Sequence, residues 1–557
     1  MRARLCLAVA VALVGCGDDT SSTPDARPAG TARVAVVGYD YTVDLTSRAV
    51  TAAVNLRLLD DGNCVQLASR APGLDLATVT LGDAAATATA DGVTLTACGA
   101  GWSAGTELTL TSQLVLELGT WGASQVGYSI TNDATGKPLT YLLSWVEQCD
   151  RLGPCDPSPG VFAHYRFTVH HPADTIVVCP GTRVAGADVT TCTFDLAGGP
   201  TYSTFGIAAS PSWQETDLGT WGAVRTTLFD RAGSGVQARI DVPYHQGFLA
   251  WMVETFGPYP YGTELRIAVG PTYWSGFEHP GNIVLDDGLA RPIPMAYTRP
   301  VTHTLNHELA HQWAGDQTTL ATTYDFVWKE AMAEYLAFVY EDATEPATAL
   351  ATARAWKSFA VGAGFYPVPE DAPRPTLLTY YGEVYGPGPM ILFRQIEAMS
   401  SRAAVIAALQ TLLGQERVLS VDDVVAALEA STGLDLATYV DVWIRGSGAP
   451  AWPTFRLTVS GTAPDEQLTV TETTPGGVLH GCDFSVEVRG ANADEVHKVW
   501  IARGVDGTAA VTVPTGVPWP TVTTVLDVDA QCLAYRDNTI VAAPRHPPGW
   551  TPWTTRP

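Results

Sequence analysis

The chain has 557 residues, 46% of them hydrophobic and 16% charged, and a formal net charge of −25. That length is more than one hydrophobic core organises, so several domains are expected. So acidic a surface argues against nucleic acid as a partner, and beyond the first residues no apolar run is long enough to cross a bilayer.

Arg2 and Arg4 precede an apolar run over 5–14, too short to span a membrane and shaped like the hydrophobic part of a secretory signal. Leu13-Val14-Gly15-Cys16 then reads as a bacterial lipobox. It predicts a signal peptide over 1–15, cleavage before Cys16 and a diacylglycerol on that thiol, with a plain signal peptide or a weak anchor as the alternative. Residues 16–33, rich in Asp, Ser, Thr, Pro and Gly, form the lipid anchor and a flexible tether with almost nothing to bury. The expected product is an exported lipoprotein, anchored to a membrane of the cell envelope through Cys16 and facing the periplasm or the cell exterior.

From 34 to 215, short alternating runs rich in Val, Thr and Leu, such as 41–45, 50–58 and 108–118, predict the antiparallel strands of an N-terminal β-sandwich. Export predicts oxidised cysteines. With Cys6 and Cys16 set aside, nearest-neighbour pairing within each expected domain joins Cys64 to Cys98, Cys149 to Cys155, Cys179 to Cys192 and Cys482 to Cys532.

From 216 to 450 helical periodicity takes over, over 300–313, 326–340, 389–399, 403–413 and 421–430. The second domain carries the chemistry. In His307-Glu308-Leu309-Ala310-His311 the two histidines stand one helical turn apart on one face, so two imidazoles converge on one point. A hydrolytic zinc needs three protein ligands and one open position, and Glu330, 19 positions after His311 on a second predicted helix, is the third ligand. Glu308 is then the base, taking a proton from a water that one Zn2+ per chain acidifies. His303, one turn before His307, is assigned to packing or hydrogen bonding, because a fourth protein ligand would close the site to water. Glu334, one turn after Glu330, either orients a zinc histidine or faces solvent.

These residues resemble the gluzincin aminopeptidases, the aminopeptidase N and leukotriene hydrolase family, whose third ligand follows HExxH at this spacing; thermolysin-like endopeptidases insert one more residue. HELAHQWAG at 307–315 is similar to the family's HELAHQWFG, and VWKEAMAEY at 327–335 to its WLNEGFAEY. Ala314, Lys329, Ala331 and Met332 depart from that pattern, which predicts altered packing and no lost ligand. FGPYPY at 256–261 resembles a segment leading into a catalytic-domain strand. The resemblance further implies that Glu278, in SGFEHPG at 275–281, binds the substrate α-ammonium, that Glu147 joins it from the first domain, and that Tyr385 stabilises the oxyanion, with Tyr380 and Tyr381 as competing neighbours.

After a segment at 435–450 that resembles the family's closing helix, strand texture returns over 455–459, 467–471, 484–488 and 499–502. It predicts a small C-terminal β-sandwich over 451–543, followed by a tail rich in Pro and Trp at 544–557. The expected fold is therefore multidomain α+β: a β-sandwich, a thermolysin-like, mainly helical catalytic domain with a small sheet, and a second small β-sandwich. The expected function is a zinc aminopeptidase acting on peptides with a free amino terminus. Alternatives are a gluzincin endopeptidase, an epoxide-hydrolase-like activity, and a degenerate peptidase serving as a surface binding or scaffolding lipoprotein.

Overall fold

The computed structural model describes residues 30–119, 126–291, 297–360, 362–377, 379–380, 391–460, 467–473, 480–489, 494–501, 509–514, 523–533 and 535–536. The expected signal, Cys16, the tether as far as residue 29, Tyr385 with Tyr381, and the tail at 544–557 lie outside them. The last of the expected tether, Gly30 to Arg33, is instead docked on the first domain, where Ala32 N donates to Cys64 O, Asn63 N to Gly30 O and Leu59 N to Arg33 O.

The N-terminal region is built of strands that alternate buried and exposed residues, the period of a sheet with one face in the core. Ala49–Leu58 shows it cleanly, with Val50, Ala52, Val54, Leu56 and Leu58 inward. An 8-stranded sheet runs, in spatial order, through Thr182–Ala185, Val189–Pro200, Phe162–His170, Val34–Asp44, Ala49–Leu58, Glu107–Val115, Gly73–Leu81 and Ala84–Ala85. A 3-stranded sheet joins Gly62–Ala68, Thr94–Trp102 and Thr87–Ala90, and a 4-stranded one joins Ile176–Val178, Gly206–Ser210, Pro138–Leu143 and Gly127–Asn132. Disulfides join Cys64 to Cys98, Cys149 to Cys155 and Cys179 to Cys192 here, and Cys482 to Cys532 near the C-terminus, which are the four pairings read from the sequence.

The next strand, Trp213–Trp221, pairs with Val224–Arg231 and belongs to the 5-stranded sheet of the following domain. The expected boundary at 215/216 thus cuts through a strand, because strand texture alone does not say which sheet a strand joins. In that sheet Val224–Arg231, Glu264–Gly270 and Asn282–Asp286 are parallel neighbours, and the short edge strand Gly276–Phe277 lies antiparallel to the last. The small sheet of the first domain packs on this one. Leu139, Tyr141, Leu143, Val178 and Ala208 share a buried cluster with Trp213, Phe229, Ala268, Phe277 and Val284, and the Tyr141 hydroxyl donates to Pro271 O. That interface holds the edge strand Gly276–Phe277, directly before Glu278, against the first domain.

Helices cover the rest of the domain, and two of them form the site. Pro300–His311 begins with proline at its first position, where the fixed φ suits a helix and no N–H is needed. Phe326–Thr344 is launched from a capping box in which Asp325 accepts from Thr322 N and Oγ1, while its other oxygen accepts from Val421 N. Almost every residue of this second helix as far as Val339 is buried, a pattern that belongs to the centre of a domain. Val242–Phe256, Pro346–Ala360, Ile391–Met399, Arg402–Leu412 and Val421–Thr432 surround the pair. The segment expected as a closing helix is short, Ala437–Tyr439 followed by a π-helical turn at Val440–Ile444.

Beyond it, Thr454–Ser460, Gln467–Thr473, Ala509–Pro514 and Tyr535–Arg536 make a 4-stranded sheet, and Cys482–Arg489, Asp494–Ile501 and Thr523–Leu526 a 3-stranded one. No helix among the described residues is long and apolar enough to cross a membrane.

Candidate metal centre and active site

His307 and His311 lie on one face of Pro300–His311, and their Nε2 atoms are 2.9 Å apart. Glu330 faces them from Phe326–Thr344, with carboxylate oxygens 3.4 Å from His307 Nε2 and 3.6 Å from His311 Nε2. One donor atom from each of the three lies within 4.8 Å of the others. With bonds of about 2.05 Å, ligands of a tetrahedral zinc stand about 3.3 Å from one another, so the spacing suits that ion. The tautomers suit it as well. His307 Nδ1 is 2.7 Å from Glu334 Oε2, and His311 Nδ1 is 2.9 Å from Ala314 O. Both acceptors draw the ring proton to Nδ1, which leaves two Nε2 lone pairs facing each other, an arrangement that a cation relieves.

Glu334 is fully enclosed. It accepts from His307 Nδ1, His303 Nε2 at 2.8 Å, Trp356 Nε1 at 2.8 Å and the Tyr297 hydroxyl at 2.7 Å. Burial opposes its charge, but His303 and His307 outweigh burial and hold its carboxyl well below the usual range. His303 stacks on Tyr297 and also approaches Glu341. It packs and donates, as expected, and is no part of the His/His/Glu set.

Glu308 is buried beside the edge strand, where a β-carbon at Gly276 would collide with its carboxylate. Burial, helped by Glu278 and Glu330 and opposed by His307, pushes its pKa up to about 8. Glu278 follows on the same segment, pinned to the metal helix by Gln312. The Gln312 amide donates to Glu278 O at 2.9 Å, and its carbonyl oxygen accepts from Gly281 N at 2.8 Å and the Tyr259 hydroxyl at 3.1 Å.

Lys329 is the residue whose importance sequence reasoning missed. Read there as a departure affecting only packing, it has a side chain 1% exposed, with Nζ 2.8 Å from Glu278 Oε1 and 2.7 Å from Glu330 Oε1. The ammonium also lies 4.9 Å from the centre of the Phe326 ring. Gly315, at φ 142°, makes room for its stem, since a β-carbon there would stand 2.9 Å from Lys329 Cε and 3.1 Å from His311 Nδ1. Lys329 draws the Glu278 carboxyl below the usual range, against the opposing effect of burial. The available signal was its position: a cation directly before a metal carboxylate, in a helix buried on nearly every side as far as Val339.

Glu147 stands in a left-handed conformation (φ 59°) on an exposed turn of the first domain. Its carboxylate accepts from Thr323 Oγ1, in the turn that launches the Glu330 helix. Nearby Trp145 packs on Trp274 and Phe326, so the first domain reaches the rim of the site. The Tyr380 hydroxyl, one of the alternatives to Tyr385, is buried and donates to Pro367 O.

Residues 243–443 match the Peptidase family M1 domain. No curated protein matches the chain in sequence. Among solved structures it is similar to aminopeptidase A of Legionella pneumophila, determined in complex with aspartic acid, at 14% identity and a TM-score of 0.69. The likeness covers 90% of this chain and 59% of that one, so this chain spans little more than half the length of that relative. At such identity the likeness is one of fold. The family resemblance read from the motifs thus holds: the helices bearing His307, His311 and Glu330 lie inside a peptidase M1 domain, within a fold shared with an aminopeptidase.

Proposed function

We propose that this chain is a zinc-dependent aminopeptidase that removes residues from the free amino termini of peptides outside the cytoplasm. The observation that carries the reading is the convergence of His307, His311 and Glu330 beside the buried Glu308 carboxylate, within a peptidase M1 domain. His307, His311 and Glu330 would hold the zinc, which would supply a Lewis acid to lower the pKa of water and polarise a carbonyl. Glu334 keeps His307 in the tautomer that presents Nε2. Glu308 takes the proton of the attacking water and returns it to the leaving amine. Glu278 is the acid that meets the substrate ammonium, with Glu147 as a second acid from the first domain. Tyr385 is read as the donor to the developing oxyanion. The Tyr380 hydroxyl is engaged by Pro367 O, which leaves Tyr385, with Tyr381 as its competitor.

The four disulfides support export, since such bonds persist in oxidising compartments. We read residues 1–15 as a lipoprotein signal, Cys16 as the lipidated residue, the chain from there to residue 29 as the tether, and the two small sheets after residue 451 as a β-sandwich domain.

The test is product analysis. Purified protein with measured metal content is incubated with an unblocked peptide and the products are followed by mass spectrometry. Stepwise loss of amino-terminal residues, abolished by a chelator and restored by zinc, is expected; internal cleavage, or none with stoichiometric zinc, contradicts the reading. One observation favours internal cleavage as a second reading: Glu278 already carries the ammonium of Lys329.

A further inference from the structure

We propose that Lys329 is a tethered cation that occupies the amine-binding carboxylate and thereby lowers the preference of the site for free over blocked amino termini. The inference rests on the reading of Glu278 as the acid that meets the substrate ammonium. Lys329 Nζ is bound by Glu278 at 2.8 Å and Glu330 at 2.7 Å, over the face of Phe326, with a side chain almost wholly enclosed. A lysine so enclosed is expensive unless its charge is paired and its donors are satisfied, so the two carboxylates form the place it is built to fill.

With Glu330 holding a metal, part of its charge is spent there, and Glu278 remains in direct contact with Lys329, with Glu308 and Asp316 also in its field. An α-ammonium arriving at Glu278 must then share the carboxylate with a cation that cannot retreat into solvent. A like charge about 4–6 Å away, at an effective dielectric constant near 20, weakens binding of the incoming cation by roughly two to three orders of magnitude. An acylated or otherwise uncharged terminus does not meet that repulsion. Lys329 is thus a specificity-determining residue, acting on the charge of the group that occupies the site.

Two readouts test this. The first is kcat/KM for an amino-acid 4-nitroanilide and its N-acetyl form, in wild type, Lys329→Met, Lys329→Gln, Glu278→Gln and the Glu278→Gln/Lys329→Met double variant. The free-to-blocked ratio is expected to rise at least ~10-fold in both Lys329 single variants, and the rise is expected to vanish when Glu278 is also neutral. An unchanged ratio in a folded, zinc-loaded single variant, or a rise that persists in the double variant, overturns the proposal. The second readout needs no turnover and no variant: calorimetric binding of leucinamide and N-acetyl-leucinamide to wild type, with zinc loaded and with zinc removed. A preference for leucinamide of about tenfold or less in the loaded protein is expected, and a larger one overturns the proposal even where no Lys329 variant folds. Failure of the aminopeptidase reading shows itself differently, as wild type that releases no amino-terminal residue whatever the Lys329 variants do.

Discussion

His307 Nδ1 lies 2.7 Å from Glu334 Oε2, so one carboxylate on the Glu330 helix fixes the ring of a metal-facing histidine on its neighbour. Glu330 and Glu334 are one helical turn apart on a single helix: the first faces the Nε2 atoms of both histidines, the second the Nδ1 atom of one. Ligand and orienting group therefore move as one rigid unit.

Glu334→Ala is expected to weaken zinc binding by about 10- to 100-fold while leaving the three ligands in place. Competition with a chromophoric chelator measures it. An unchanged affinity would show that the ring of His307 is fixed by packing alone.

Glu308→Gln keeps the size and shape of the side chain but removes its ability to accept a proton. Zinc content is expected to match wild type while kcat falls at least ~10²-fold, the scale of a general base. Near-normal turnover rules out Glu308 as that base.

The pair of His303 and Glu334 gives a pH signature. Burial lowers the pKa of His303, but Glu334 and then Glu341 more than compensate, lifting it to about 9. A histidine raised in the folded state stabilises fully below its unfolded pKa of ~6.5, and that contribution disappears as pH rises through about 9. The Tm of wild type is expected to drop more steeply between pH 7 and 10 than that of His303→Gln. Parallel Tm curves for the two proteins would remove the ion pair from the account.

Cys16→Ser is expected to move the protein from the membrane fraction to the soluble fraction with its catalytic constants unchanged, since the proposed anchor stands well before Gly30, whose carbonyl accepts from Asn63 N of the first domain. Wild type found soluble and without lipid contradicts the lipobox reading.

The pairing of His307 with His311 was legible in the sequence because helical periodicity converts spacing directly into geometry, and Glu330 because a hydrolytic zinc needs a third ligand and the motif spacing supplies one. Disulfide pairing was legible too, because each cysteine bonds the nearest one in its own domain. The hidden features depend on contacts between distant segments. Lys329 reads as one more charged residue in a helix until Gly276–Phe277 brings Glu278 beside it. Gln312 sits inside the histidine motif, yet its hold on the Glu278 segment exists only once the edge strand docks. The boundary expected at 215/216 falls inside strand Trp213–Trp221 because strand periodicity carries no information about partners.

The central claim is that His307, His311 and Glu330 hold one catalytic zinc, and anomalous diffraction collected on both sides of the zinc absorption edge tests it most directly. The account predicts a single strong peak per chain, within about 2.0–2.2 Å of His307 Nε2, His311 Nε2 and a Glu330 carboxylate oxygen. A zinc-replete crystal with no peak there, or with its peak at other residues, contradicts it.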